Sequence, residues 1–406
     1  MHVTRRDFFR TAGAAALPLL APRLVFAQDA KAAAGGDTLV VVFQRGGMDA
    51  LNAVVPHGDA DYYRLRPNIG VPRPGSGASA ALDLDGFFGF NPALAPLQPL
   101  YQSGRLAAVH ATGFQLSSRS HFDCQDFMER AALQNAGVSS GWLNRFLEIS
   151  GVTRTFEAVG IGAAVPYALR GAAPVIGLST FDEFALQSES PRGRAIADTF
   201  ARLYDAQTVL ASSSRRALAA VDELALVDPG QYPLENGAAY PATAFGAQLR
   251  QVAQLVKADV GLRVASVDIG NWDHHDNLVA ELAPLLDDLG RGLAAFDADL
   301  GPRMAGVTVV TMTEFGRRAQ ENASRGTDHG SGYGMFLLGG GVNGRNVYRN
   351  WPGLADNQLY RGDLAITTDY RTVLSELIER RMGGSDLARV FPGFTPGPRL
   401  GAFVAR

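Results

Sequence analysis

The sequence predicts an α/β fold with a mainly parallel central sheet and helices on both faces. Near-continuous apolar runs recur along the chain, as strands buried on both faces require. Helical patterns lie between them, and strands alternating with helices build a parallel sheet. Acids and histidines gather where predicted strands end, which is where such sheets place their sites.

The first apolar run is Thr38 to Phe43 (TLVVVF). Arg105 to His110 (RLAAVH), Arg263 to Ile269 (RVASVDI), Val307 to Met312 and Met335 to Leu338 read the same way. Leu249, Val252, Ala253 and Val256 repeat at the spacing of one helix face. Ile366 to Glu379 predicts a late helix, with Thr367 or Thr368 as its cap and Asp369 in its first turn. The Pro- and Gly-rich passage from Val54 to Asn91 predicts loops lying over the sheet. Residues 139–232 read as a helical insertion or cap within a domain spanning 38–406.

Residues 1–27 predict an export signal. Thr4-Arg5-Arg6-Asp7-Phe8-Phe9-Arg10 fits a twin-arginine signal, and a short apolar run from Ala12 to Ala21 follows. Val25-Phe26-Ala27 offers small residues for cleavage, and residues 28–37 read as a flexible leader. The expected location is the periplasm or beyond, with the twin-arginine translocase as partner in export. No later stretch reaches the ~18 apolar residues of a membrane helix. Hydrophobic residues make up 47% of the chain and charged ones 19%, which suits a sizeable core. The net charge of −3 gives no sign of a nucleic-acid partner. The single cysteine, Cys124, excludes an intrachain disulfide and reads as a small buried filler. The glycine-rich run Gly339 to Gly344 lacks a clear following helix and the acid of a dinucleotide site, which argues against an oxidoreductase.

Four stretches carry groups able to do chemistry. In QRGGMDALN (Gln44 to Asn52), Asp49 follows the first strand and is either a turn aspartate or a ligand. In SSRSHFDCQDFMER (Ser117 to Arg130), Ser120 stands at a helix start. It is either a cap, with Asp123 completing a capping box, or a nucleophile beside N–H groups that receive an anion. His121 next to it is a ligand or a polar residue of the first turn. DIGNWDHHDN (Asp268 to Asn277) packs three aspartates and two histidines into ten residues, a density that favours metal binding. In the stretch from Val309 to Leu338, Glu314 ends a strand and Asp328-His329 lies in a glycine-rich loop. Carboxylates and imidazoles converging from separate strand ends suit a metal-dependent hydrolase.

VVVFQRGGMDALN, SHFDCQDFME, NWDHHDN, TEFGRRAQ, TDHGSG, TTDYRTVLSELI and VFPGF occur in this order. Together with the signal they resemble the domain-of-unknown-function 1501 family over essentially the whole mature chain. That family is similar to the alkaline phosphatase and sulfatase superfamily. The fold this implies is an alkaline phosphatase-like three-layer sandwich with a divalent metal centre at one strand-end edge. By position, the resemblance implies metal-binding roles for Asp49, Asp273, His275, Glu314, Asp328 and His329, with Ser120 as nucleophile. Asn271 stands where the superfamily has the Asp of Asp-x-x-x-His, and Phe315 replaces the histidine after its strand-end acid. The Cys-x-Pro-x-Arg pattern of a formylglycine sulfatase is absent.

The expected function is metal-dependent hydrolysis of a phosphate or related ester on a small molecule. Oxygen and nitrogen ligands together suit Zn²⁺ or Mn²⁺ better than Mg²⁺ or Ca²⁺. The alternative is a non-catalytic binding or assembly protein on the same fold, working with another exported protein.

Overall fold

Thr38–Gln44 (β1) lies inside a nine-stranded sheet, and all of it but Thr38 is buried. The computed structural model describes residues 37–115, 118–132, 137–181, 231–384 and 386–406. The expected signal and most of the leader lie outside them. The strands that follow are Val54–Val55 (β2), Leu82–Asp83 (β3), Gly89–Phe90 (β4), Leu106–Gly113 (β5), Ala158–Ile161 (β6) and Ile176–Leu178 (β7). Val264–Ile269 (β8), Val307–Met312 (β9), Tyr333–Gly339 (β10), Val347–Tyr348 (β11) and Thr368–Asp369 (β12) complete the set.

The sheet order is β11-β5-β10-β9-β1-β8-β6-β7, with β12 also on β5. β1 runs parallel to β8 and β9, and β6 continues the parallel set to β7. Every residue of β5, β9 and β10 is buried, so both sheet faces are covered. The architecture is the α/β sandwich that the sequence predicts. No helix among the described residues is long and apolar enough to cross a membrane.

Four expectations need correction. β10 was expected to join as one more parallel strand, but it is antiparallel to both β9 and β5. No helix separates β9 from β10, and a parallel return needs a crossover of that kind. The passage from Val54 to Asn91 is not all loop: β2, β4 and β3 form a small sheet of their own. The described part of 139–232 contains the α-helix Trp142–Ser150 and the short 3-10 helix Tyr167–Leu169, but its β6 and β7 extend the main sheet. Residues 182–230 lie outside the described residues. The late helix is Tyr370–Arg381, capped by Asp369 through Arg371 N–H. Thr367 and Thr368 serve the sheet instead: Thr367 N–H donates to Ala111 O, and Thr368 pairs with Thr112.

One buried ion pair anchors the first strand's turn. Asp49 caps the short helix Ala50–Ala53 by accepting from Asn52 N–H at 2.9 Å. Arg66 Nη1 donates to Asp49 Oδ1 at 2.7 Å and to Asn52 Oδ1 at 2.8 Å. Its other nitrogens donate to the carbonyls of Ala319 and Arg318, both at 2.9 Å. Burial pushes the Asp49 pKa up, but the Arg66 guanidinium wins and holds it below the ordinary value. Removing one partner of such a pair strands the other without water.

Arg66→Ala is therefore expected to cost about 3–5 kcal/mol of stability at pH 7. The Asp49 pKa is lower folded than unfolded, so its contribution is complete above the unfolded value of about 4. It is lost as pH falls through the lower folded value. Urea unfolding at neutral and acid pH measures both. A neutral-pH loss no larger than the ~0.5 kcal/mol of a surface substitution contradicts the role.

Candidate metal centre

The sheet topology brings five chain segments to one edge. β1, β8 and β9 are parallel, and β5 shares their direction because β10 opposes both β9 and β5. The carboxyl ends of those four strands therefore meet the start of β10. The turns that follow are packed too closely for ordinary side chains. At Gly46 (φ 125°) a Cβ would lie 2.7 Å from Asp273 N and 2.8 Å from Trp272 N, so glycine is needed there. Gly46 N–H donates to Glu314 Oε1 at 2.8 Å. Thr313 Oγ1 donates to Gln44 O at 2.7 Å and accepts from Met48 N–H at 3.1 Å.

Arg317, 2% exposed, ties these turns together. Its Nε donates to Gly47 O at 2.6 Å and its Nη1 to Thr327 O at 3.0 Å. Nη2 donates to Gly46 O, to Trp272 O at 3.0 Å and to Asp273 Oδ1 at 2.6 Å. Burial would raise the Asp273 pKa. Arg317 overrides it, and the Asp273 pKa lies at about 2.

Three imidazoles converge on the Asp273 carboxylate. His121 opens the helix His121–Arg130, and its Nδ1 lies 2.7 Å from Glu314 Oε1. His275 Nδ1 lies 3.2 Å from Asp328 Oδ1, and His329 Nδ1 lies 2.8 Å from Arg119 O. Glu314 and Asp328 have lowered pKa values: burial opposes this, and their hydrogen bonds prevail. Ionised carboxylates and a carbonyl only accept, so each Nδ1 carries the proton. A ring protonated only there presents its Nε2 lone pair.

Those Nε2 atoms meet. His329 Nε2 lies 3.1 Å from Asp273 Oδ1; His275 Nε2 lies 3.0 Å from that oxygen and 2.9 Å from His329 Nε2. His121 Nε2 lies 3.2 Å from Asp273 Oδ2, yet it is buried and makes no hydrogen bond. Ligand atoms of His121, Asp273 and His329 fall within 4.8 Å of one another. Lone pairs facing each other and a carboxylate repel unless a proton or a cation lies between them. The orphaned His121 nitrogen and this donor set fit a divalent cation, with each outer partner fixing its ring in the ligating tautomer. Hydrogen bonding to Glu314 raises the His121 pKa, so a proton competes for the same nitrogen.

The sequence candidates divide into three groups. Asp273, His275 and His329 meet. Glu314 and Asp328 stand behind imidazoles rather than among the converging atoms. Asp49 is not brought to the cluster: its carboxylate goes to Arg66, to Asn52 N–H and to Thr327 Oγ1. Ser120 is the N-cap of the helix that His121 opens, with its Oγ 3.5 Å from Asp123 N. Asp123 does not reach back to close a box; it accepts from Ser118 Oγ. His121 joins the cluster from the first turn of its helix, the position that a ligand role requires. Arg317 escaped sequence reading, because a guanidinium shared among four carbonyls leaves no local pattern. Cys124 is buried, which pushes its thiol up to about 12 and leaves it inert.

The family model described as "Protein of unknown function (DUF1501)" matches residues 37–386. No curated protein matches the chain. Among solved structures, the chain is similar to the lipoteichoic acid synthase LtaP from Listeria monocytogenes. That match has TM-score 0.33 and 8% identity, and covers 82% of this chain and 74% of that one. It is also similar to the PsFucS1 sulfatase from Pseudoalteromonas sp., at TM-score 0.31 and 11% identity over 76% and 63% of the two chains. For the alkaline phosphatase from the Antarctic bacterium TAB5 the values are 0.30 and 8%, over 75% and 92%. The match across residues 37–386 places this chain in the DUF1501 family.

Proposed function

We propose that the protein is an exported, metal-dependent hydrolase of a phosphate or related ester. The observation that carries this is the meeting of three imidazole Nε2 atoms at one carboxylate on an accessible sheet edge. The side chains of His275 and Asp273 are 44% and 43% exposed, so a small molecule can reach them. His121, His329 and Asp273 would hold the metal, with His275 Nε2, 3.0 Å from Asp273 Oδ1, as a further donor. Three nitrogens and one oxygen favour Zn²⁺, then Mn²⁺. A divalent cation there supplies Lewis acidity to an ester oxygen.

Ser120 is the nucleophile in this reading. It is half-buried at the start of the helix whose first residue is His121. Its 3.5 Å contact with Asp123 N is too long for a firm cap, which leaves the hydroxyl available. Its oxygen would bond to the phosphorus as the ester oxygen departs with the serine proton. Water would then release the phosphate and restore the hydroxyl. One observation favours a non-catalytic partner-binding role instead. Phe122, beside His121, is 88% exposed, as an aromatic anchor for another exported protein would be.

Zinc titration of metal-stripped protein tests the cluster. His121→Ala and His329→Ala are expected to abolish stoichiometric binding, and Glu314→Gln to weaken it about 10- to 100-fold. Asp49→Asn is expected to leave zinc stoichiometry intact. Loss of zinc in that variant, with its fold intact by circular dichroism, would return Asp49 to the ligand set, and zinc retained in both histidine variants would remove the site.

Ser120→Ala and Ser120→Asp separate nucleophile from cap, because Asp caps a helix but cannot take the serine's place. Both are expected to lose nearly all turnover of an aryl phosphate or sulfate ester while keeping zinc. Loss of a cap alone would cost about 1 kcal/mol in the Ala variant and spare turnover. Near-normal turnover in the Asp variant would leave Ser120 only its capping role.

Export rests on the Thr4 to Arg10 pattern. Replacing Arg5 and Arg6 together with Lys is expected to hold the precursor in the cytoplasm. Fractionation followed by immunoblotting reads this, and normal periplasmic delivery of the double variant would reject the pathway.

A further inference from the structure

A second recess shares its walls with the histidine cluster. Its volume is about 30 Å³, and Ser118, Arg119, Phe315, Ser331, Tyr360 and Arg361 are among its lining residues. Ser118 and Arg119 closely precede His121, and Ser331 closely follows His329. Phe315 is the wall between the two. Its ring centroid lies 4.8 Å from that of His121 and 4.7 Å from that of His329.

Charge around this recess does not cancel. Arg119 Nη2 donates to Asp363 Oδ2 at 2.6 Å, and Ser331 Oγ donates to the same oxygen at 2.9 Å. Asp363 is fully buried. That carboxylate pairs with Arg119 and, at 3.9 Å, with Arg318. Arg361 makes no ion pair among the described residues; its guanidinium lies 5.4 Å from the centroid of the Tyr360 ring. Arg318 Nη1 donates to Arg361 O at 3.2 Å, bringing a third guanidinium to the same corner. A guanidinium that makes no ion pair and sits beside an aromatic ring can meet an oxyanion with two parallel N–H donors. The small volume suits one anionic head group rather than a whole metabolite.

We propose that this recess receives a second anionic group of the substrate, carried a short distance from the ester held at the histidine cluster. The class is an ester bearing an additional carboxylate, phosphate or sulfate. This rests on the hydrolase reading above, but the recess can be probed without the metal.

Inorganic sulfate is the probe, titrated by calorimetry into full-length protein with and without zinc. Sulfate is expected to bind the metal-stripped protein, and Arg361→Gln to weaken that binding at least about tenfold. Arg361 is exposed, so this substitution should leave the fold and zinc affinity unchanged. Equal sulfate affinity in the variant overturns the proposal. So does sulfate binding that appears only when zinc is present, because the anion then sits at the cluster. Zinc is titrated separately. Sulfate binding sensitive to Arg361 without any zinc binding supports the recess and overturns the hydrolase reading.

Discussion

The site depends on one buried guanidinium. Arg317 donates to carbonyls of Gly46, Gly47, Trp272 and Thr327, and to the carboxylate of Asp273. These acceptors belong to the turns after β1 and β8 and to the loop before β10, which backbone pairing joins only at isolated points. Lysine could not replace this, because a point charge on a flexible stem lacks the fixed fork that meets several acceptors at once. The same contact orders the loops and keeps Asp273 ionised. A structural bond and the electrostatics of the site are one interaction here.

The remaining acids are held apart from the converging nitrogens. Four carboxylates around one ion would repel each other and oversupply negative charge. Asp49 is neutralised by Arg66, and Thr327 Oγ1 links it to the loop bearing Asp328 and His329. Glu314 accepts from His121, Gln125 and Gly46 N–H, so its charge is spread over three donors. Asp328 orients His275 from outside. Asp273 alone faces the converging nitrogens. Imidazoles do the inner work, and carboxylates set their tautomers.

Much of this was legible in the sequence, for identifiable reasons. Apolar runs mark β1, β5, β8 and β9, because strands buried on both faces leave no room for polar residues. The clustering of titratable groups in DIGNWDHHDN and TDHG marks loops that the fold brings together, since core packing does not call for them. What was hidden is relational. An apolar run says nothing about direction, so the reversal of β10 depends on the missing crossover helix. The role of Asp49 depends on Arg66, and that of Asp273 on Arg317, partners that no local spacing reveals. His121 was ambiguous because a helix's first turn welcomes polar residues for its own sake. Asp369 displaced the threonines as cap because the threonines had a strand to pair with.

The run Ser118-Arg119-Ser120-His121 shows how a short stretch can serve several ends. Arg119 gives its carbonyl to His329 Nδ1, fixing that ring, and its guanidinium to Asp363. His121 gives its Nδ1 to Glu314 and turns its other nitrogen toward Asp273. Ser120 lies between them in sequence, at the point where extended chain becomes helix. The residues on either side of it are tied to different partners, so its backbone is fixed from both directions. A side chain held this way changes little when its own hydroxyl is removed. At the helix start the Ser120 carbonyl accepts from Cys124 N–H at 2.9 Å, whereas the Ser120 hydroxyl adds only the long 3.5 Å contact with Asp123 N. Removing that hydroxyl therefore tests the side chain with its neighbours still tied in place.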